Sequence, residues 1–313
     1  MSLRQVQGHD FIAGIPLVFG GNVFGWSSKG DEAFAVLDAF YAAGGRMIDT
    51  ADVYSAWIPG HKGGESETVI GEWLESRGVR DDMRIHTKTG MLGGSELYDA
   101  PRVLQSLDAS LERLRTDQID LYYAHKDYLE LQVGQIVAAF DGAVRSGKVR
   151  AVGASNFDAA RLSAALAEAE STGAAPFAAL QNEYNLVSRE AYGPDLQAVV
   201  RDNDLVMLPF FGLASGYLTG KYRIEDDYAK SARGGRAKQL SGANGPQVLA
   251  AMDEVAGETG ASLAAIALAW LVRQPGIPAP IASARTAEQM HELLEFTRVE
   301  LSDDQLARLA AAA

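Results

Sequence analysis

Eight short apolar runs rich in β-branched and aromatic residues recur along the chain. They fall at 15–20 (IPLVFG), 46–50 (RMIDT), 84–88 (RIHTK), 119–124 (IDLYYA), 149–153 (VRAVG), 177–182 (FAALQN), 205–210 (LVMLPF) and 279–283 (APIAS). Runs of this length, with no polar alternation, read as strands buried on both faces. Between them stand amphipathic helical patterns such as DEAFAVLDAFYAAGG, ESETVIGEWLESRG, PRVLQSLDASLERLR and GQIVAAFDGAVRSGK. Several open on Asp, Glu, Ser or Pro and close on Gly, the expected asymmetry of helix ends. The pattern predicts an α/β chain, a closed (β/α)₈ barrel forming one domain over residues 1–313, with further helices at the C-terminal end. ASLAAIALAWLVRQP is apolar enough to be a core helix. A doubly wound dinucleotide fold lacks its main support. No G-x-G-x-x-G follows a strand, and GGNVFG lacks both the spacing and a helix opening directly from it. The longest non-periodic connection, 211–246, follows the seventh strand, where barrels often bind phosphate.

Composition narrows the class without naming it. A chain of 313 residues accommodates two domains or one large barrel, and 47% hydrophobic against 22% charged residues is ordinary for a chain with a full core. No run approaches the roughly 18 apolar residues of a membrane span. The start, MSLRQVQGHDF, carries no apolar stretch of the secretory kind. Cys is absent, which removes disulfides, thiolate metal sites and a Cys nucleophile together, and permits a reducing cytoplasmic location. The net charge of −13 argues against nucleic-acid binding. Against that background, Lys221, Arg223, Lys230, Arg233, Arg236 and Lys238 outnumber Glu225, Asp226 and Asp227. This stretch is either a meeting point for an anionic ligand or a solvated loop.

Four residues sit at strand ends where a carbonyl chemistry could use them: Asp49 and Tyr54 in MIDTADVY, Lys88 in RIHTKTG and His125 in DLYYAHKDY. In a barrel, the C-terminal ends of strands two, three and four open into one mouth. Singly, each has a plain structural reading: Asp49 as a cap, Tyr54 as filler, His125 as a satisfied histidine. Together on consecutive strands they form a proton-delivery set. A free tyrosine is a poor acid at neutral pH. A lysine beside it should lower its pKa, an aspartate should keep the lysine charged, and His125 can orient a carbonyl. His86, on the face of Lys88 by the period-two rule, reads as packing.

These residues carry a family resemblance. IDTADVY, the HTK and YYAH strand ends, GKVRAVGASNF, LQNEYNLVSRE, GYLTGKY and ARTAEQ occur in one order over nearly the whole chain, which resembles the aldo-keto reductases. The resemblance implies a barrel that binds NADP(H) without a Rossmann fold, with Asp49, Tyr54, Lys88 and His125 as the tetrad and Tyr54 as general acid. It implies that Ser155, Asn156 and Gln181 hold the nicotinamide carboxamide and that Phe210 stacks on the ring. Leu213, Gly216, Leu218, Gly220 and Lys221 match the loop that wraps the pyrophosphate. Ser283, Arg285 and Gln289 match the adenosine end. Arg285 suits a 2′-phosphate, which favours NADP(H) over NAD(H). The chain departs from the family in Phe210-Phe211-Gly212-Leu213, where Tyr-Ser-Pro-Leu is frequent, in Ser283 where Gly is frequent, and in Leu293 where Asn often meets adenine.

Substrate selectivity is expected from Phe24, Trp26, Trp57 and Tyr128, as an aromatic pocket or as seals between loop and barrel. The expected reaction is reduction of a neutral aldehyde or ketone. The competing class is an NADP(H)-binding regulatory subunit of the channel-associated type with little turnover. The expected partner is a small-molecule carbonyl, with no nucleic acid, membrane or obligate protein partner. No metal is expected, since five His include no H-x-H at a strand end.

Overall fold

A computed structural model describes residues 9–230 and 233–313, so the first eight residues of the start read for a signal lie outside the described residues. In chain order the elements are β1 (Val18–Gly20), α1 (Gly30–Ala42), β2 (Met47–Asp49), α2 (Glu65–Arg77), β3 (Arg84–Thr89), α3 (Ala100–Leu114) and β4 (Ile119–Ala124). There follow α4 (Val133–Arg145), β5 (Val149–Ser155), α5 (Ala159–Thr172), β6 (Phe177–Gln181), α6 (Pro194–Asp202) and β7 (Val206–Met207). The chain finishes with α7 (Glu225–Tyr228), α8 (Gly234–Ser241), α9 (Gly245–Thr259), α10 (Leu263–Leu271), β8 (Ile281–Ala282), α11 (Ala287–Leu294) and α12 (Asp303–Ala312).

All eight strands are parallel and run in the order β7-β6-β5-β4-β3-β2-β1-β8. The Ile281 amide donates to the Pro209 carbonyl at 2.9 Å, which joins the two ends and closes the barrel. The fold is therefore the (β/α)₈ barrel that the apolar pattern predicts, as one domain. β1 and β7 are shorter than their apolar runs. Pro209 lacks an amide hydrogen and cannot extend the β7 ladder, although its carbonyl still serves β8.

Two apolar clusters divide the core. One fills the layer between strands and helices and includes the buried rings of Phe19, Phe40, Trp73 and Trp270. The other lies inside the barrel, where Phe11, Val18, Met47, Leu121, Tyr123, Ala179, Val206, Leu208 and Ile281 pack together. The inner set fixes what the mouth receives, because side chains alternate along a strand. Asp49 continues the face of Met47, His125 that of Leu121 and Tyr123, Gln181 that of Ala179, and Phe210 that of Val206 and Leu208.

Side-chain caps form at four of the twelve described α-helices. Asp158, Ser262, Thr286 and Ser302 each accept from an amide in the first turn of α5, α10, α11 and α12. α3 is an exception at its other end: Arg115, not glycine, takes the left-handed conformation that stops it. The connection 211–246 is not an unstructured loop. It holds a 3₁₀ turn at Ala214–Thr219 and the short helices α7 and α8. Its basic excess is largely spent on neighbours: Arg223 pairs with Asp253, Lys230 with Asp227, Arg236 with Glu183 and Lys238 with Glu225. No described helix is long and apolar enough to cross a membrane.

Candidate active site

The mouth is built around one buried cation. Lys88 Nζ donates to Asp49 Oδ2 at 2.7 Å, to the Thr50 carbonyl at 2.7 Å and to the Tyr54 hydroxyl at 3.0 Å. All three of its protons are accounted for, so the ammonium cannot rotate away from either partner. The second oxygen of Asp49 accepts from Gln181 Nε2 at 2.8 Å. Tyr54 reaches the group because the loop after β2 folds back. The Tyr54 amide bonds the Ala51 carbonyl, and Gly64 returns to bond the Tyr54 carbonyl at 3.1 Å. His125 closes the set, its ring edge-on to Tyr54 with centroids 6.1 Å apart.

Burial sets the protonation states. It lowers the Lys88 pKa, but the charges of Asp49 and Tyr54 outweigh it and hold the ammonium above its ordinary range. Burial, reinforced by Lys88, keeps His125 well below 6.5, so the imidazole is neutral and carries a single N–H. The expectation for Tyr54 needs correcting. Lys88 does pull the phenol down, yet burial is the larger effect and Asp49 opposes as well, so the Tyr54 pKa stands above 10. Lys88 thus limits the rise in Tyr54 without reversing it.

Ser155, Asn156 and Gln181 lie together beside this group. Ser155 Oγ donates to the Gln181 carbonyl at 2.8 Å, and Asn156 Nδ2 donates to the His125 carbonyl at 2.9 Å and to Ser155 Oγ at 3.0 Å. Asn156 is in left-handed backbone, φ 62°. Because the amide nitrogens of Gln181 and Asn156 are committed, their amide oxygens remain as acceptors. An amide NH₂ is the group such a pair fits. Phe210, half-buried at the top of the inner face and edge-on to Phe211, offers a flat apolar ring beside them.

The rest of the expected cofactor set is more dispersed. Gly216 and Gly220 have φ of 92° and 77°, and a Cβ on Gly216 would stand 2.9 Å from Lys221 Nζ. The turn therefore needs glycine where the lysine folds over it. Leu213 is half-buried against the core. Leu218 is fully buried there, so only its backbone could face a ligand. Ser283 Oγ donates to Asn22 Oδ1 at 2.7 Å, and Gln289 Oε1 accepts from the Arg285 amide at 2.9 Å, which leaves the Arg285 guanidinium exposed.

The aromatic residues divide. Trp57 is 48% exposed and edge-on to both Tyr54 and Trp26, with centroids 5.9 Å apart in each case, so Trp57 borders the proposed acid and Trp26 packs on Trp57. Phe24 does not join them. Its ring is buried and stacked on Phe19 at 5.3 Å, because the 3₁₀ turn Gly21–Val23 rotates it inward, so it is a core residue and not a pocket wall. Tyr128 is half-buried, tied by its hydroxyl to the Gly90 carbonyl at 2.6 Å and set edge-on to Tyr98. His86 is buried and packs at the barrel floor, with Nε2 2.9 Å from the Phe11 carbonyl.

Two features escape sequence reasoning. Arg233 lies over the Trp26 ring at 5.1 Å, linking the connection after β7 to the loop after β1. Burial, then the neighbouring Arg285 charge, lowers its pKa. The second is Asp52, buried behind the mouth and hydrogen-bonded by Thr89 Oγ1 at 2.7 Å. Its only sequence signal is its place in TADVY, out of phase with the inward-facing residues.

Comparison with known proteins identifies the family. The model of the aldo/keto reductase family matches residues 16–313, and the chain belongs to that family. It is 30% identical over 303 residues to an aryl-alcohol dehydrogenase [NADP(+)] of Phanerodontia chrysosporium, covering 90% of this chain and 76% of that protein. It is 31% identical over 302 residues to an uncharacterized oxidoreductase of Bacillus subtilis, covering 94% and 90%. A norsolorinic acid reductase of Emericella nidulans is 31% identical over 316 residues, covering 94% and 78%. The chain is accordingly an oxidoreductase acting on carbonyl and alcohol groups.

Proposed function

We propose that this protein reduces an aldehyde or ketone to an alcohol using NADPH in preference to NADH, with Tyr54 as the proton donor. The observation that carries the reading is the single ammonium of Lys88 held between Asp49 and the Tyr54 hydroxyl, with neutral His125 facing the phenol. The nicotinamide, when bound, supplies hydride to the carbonyl carbon. The protein's part is to place the carbonyl and deliver the proton. The imidazole N–H of His125 and the phenol of Tyr54 receive the carbonyl oxygen. As charge grows on that oxygen, Tyr54 gives up its proton, and the phenolate left behind is stabilised by Lys88. Asp49 keeps the lysine in place throughout.

Ser155, Asn156 and Gln181 suit the carboxamide through their acceptor oxygens, and Phe210 suits the ring as a stacking face. Arg285, with Arg233 close by, gives the adenosine end a positive potential that favours a 2′-phosphate. The chemistry of the named relatives makes aromatic carbonyls the first substrates to try, with Trp57 beside the acid and Trp26 packed on it. The absence of Cys suits a reducing cytoplasm. The test is NADPH consumption, with NADH in parallel, over 4-nitrobenzaldehyde, a short aliphatic aldehyde and pyridoxal. Tyr54→Phe should cut turnover by roughly 10²–10⁴-fold while leaving NADPH binding largely intact. Near-normal turnover in that variant would refute the mechanism.

A further inference from the structure

Behind the tetrad lies a second buried acid that the reaction does not use. Asp52 is 3% exposed and sits two residues before Tyr54. Its backbone amide donates to the Lys88 carbonyl at 3.1 Å. Its Oδ2 accepts from Thr89 Oγ1 at 2.7 Å, and the Thr89 carbonyl in turn accepts the His125 amide at 2.9 Å. One residue therefore touches the loop that carries Tyr54, the strand that carries Lys88 and, through Thr89, the strand end that carries His125. The loop also closes tightly on it: a Cβ added to Gly63 would stand 2.6 Å from the Asp52 carbonyl oxygen.

The setting is hostile to charge. Asp52 Oδ1 is buried with no hydrogen-bond partner among the described residues. Glu67 of α2 is fully buried nearby and is already held by Thr87 Oγ1 at 2.5 Å and by Arg113 Nε at 2.7 Å. Arg113 of α3 is thus engaged by another carboxylate. The other groups facing Asp52 are Tyr98 before α3, Tyr122 of β4, whose buried hydroxyl also lacks a partner among the described residues, and Tyr128 after β4. Lys88 of β3 meets Asp52 only through its carbonyl, since its ammonium is committed inside the barrel. A carboxylate here would leave one oxygen without a donor in a site that water does not reach.

We propose that Asp52 is a positioning residue for the Tyr54 proton donor, holding the ends of β2, β3 and β4 in reactive register only while its own carboxyl is uncharged. Ionisation would be relieved by opening the loop to water, which loosens the Thr89 and Lys88 contacts and displaces Tyr54. In support, burial pushes the Asp52 pKa up to about 7, with help from Glu67 and against the Thr89 hydrogen bond, the Arg113 charge and the Val53 amide. Three members of the tetrad titrate elsewhere: burial keeps His125 well below neutrality, while Tyr54 and Lys88 titrate above 10. Asp52 is therefore expected to give turnover an inflection near neutral pH.

This inference rests on the carbonyl-reduction reading, and the experiment separates the two. The kcat for NADPH-dependent reduction of 4-nitrobenzaldehyde would be followed from acid to alkaline pH in wild type, Asp52→Asn and Glu67→Gln. Wild type should lose turnover several-fold as pH rises through about 7, the Asp52 value. Asp52→Asn should lack that inflection, because its amide stays neutral and can keep the Thr89 bond. Glu67→Gln should move it to lower pH, since a negative neighbour is gone and Arg113 is released. A merely structural role for Asp52 would lower kcat at every pH and leave the profile's shape intact. Superimposable wild-type and Asp52→Asn profiles would overturn the proposal. So would an unmoved inflection in Glu67→Gln, which decides the matter if Asp52→Asn does not fold. No turnover by wild type at any pH would overturn both this proposal and the reading beneath it.

Discussion

Two buried aspartates three residues apart meet opposite fates on the two sides of the barrel wall. Asp49 points into the mouth, where Lys88 and Gln181 supply donors to both of its oxygens. Asp52 points outward, toward α2 and α3, where one oxygen has the Thr89 hydroxyl and the other has no partner among the described residues. Both are almost completely buried, so depth alone does not separate them. The difference lies in the cation. A buried carboxylate is tolerable when a fully hydrogen-bonded ammonium accompanies it and costly when its nearest charged neighbour is another carboxylate. The inner site consequently surrounds its carboxyl with donors and a charged lysine, and the outer one leaves a carboxyl half-satisfied.

The comparison breaks most severely if the inner cation is removed. Lys88→Met keeps the length and apolar stem but leaves Asp49 buried and unpaired. Turnover should fall by roughly 10²–10⁴-fold, because Tyr54 loses the charge that stabilises its phenolate. Stability should fall by about 3–5 kcal/mol, the usual cost of breaking a buried pair by deleting one partner. Denaturant unfolding and steady-state kinetics on the same preparation check both. A stable variant with intact turnover would show that the ammonium is not what sets Asp49 apart.

The inner region was legible in the sequence because alternation along a strand is a local rule. Once 46–50, 84–88 and 119–124 are strands, Asp49, Lys88 and His125 follow at their ends, and barrel closure brings them together. The outer region was not legible. Whether Asp52 is solvated or sealed depends on how α2 delivers Glu67 and how Gly63 returns over the loop, and neither leaves a periodic trace. Phe24 stayed open between two readings for a related reason: an aromatic just past a strand faces the mouth or the core according to a 3₁₀ turn that hydrophobicity does not encode. The connection after β7 looked featureless because its helices are short and held by ion pairs between residues distant in sequence, such as Arg223 with Asp253.

A smaller effect, of opposite sign, is expected at the outer site. The Asp52 pKa is raised from 3.8 to about 7, so between these values the folded protein holds a proton that the unfolded chain has released. Stability from this group is fully present below pH 3.8, declines as pH rises, and is lost once pH passes about 7. The penalty at alkaline pH is on the order of 2–4 kcal/mol. Asp52→Asn escapes it, so the variant should gain thermal stability relative to wild type at pH 8 and keep less than half of that advantage at pH 5. A difference in Tm that does not change with pH would mean that Asp52 is charged, or solvated, across the whole range.

The smallest change asks whether the cation or the number of donors protects Asp49. Gln181→Met preserves bulk and removes only the donor to Asp49 Oδ1, giving that carboxylate the single orphaned oxygen that Asp52 has. A hydrogen bond to a charged group is worth about 1.5–3 kcal/mol, and part of that loss falls on stability rather than on the reaction. With Lys88 still in place, turnover should drop by about tenfold or less, and no new inflection near neutral pH should appear. NADPH should bind more weakly, since the acceptor offered to the carboxamide is gone as well. If instead the variant acquires an inflection that Asp52→Asn cannot remove, the Gln181 donor matters as much to the inner site as the lysine does. Hydrogen-bond count, as well as the lysine, would then be what distinguishes the two sides of the wall.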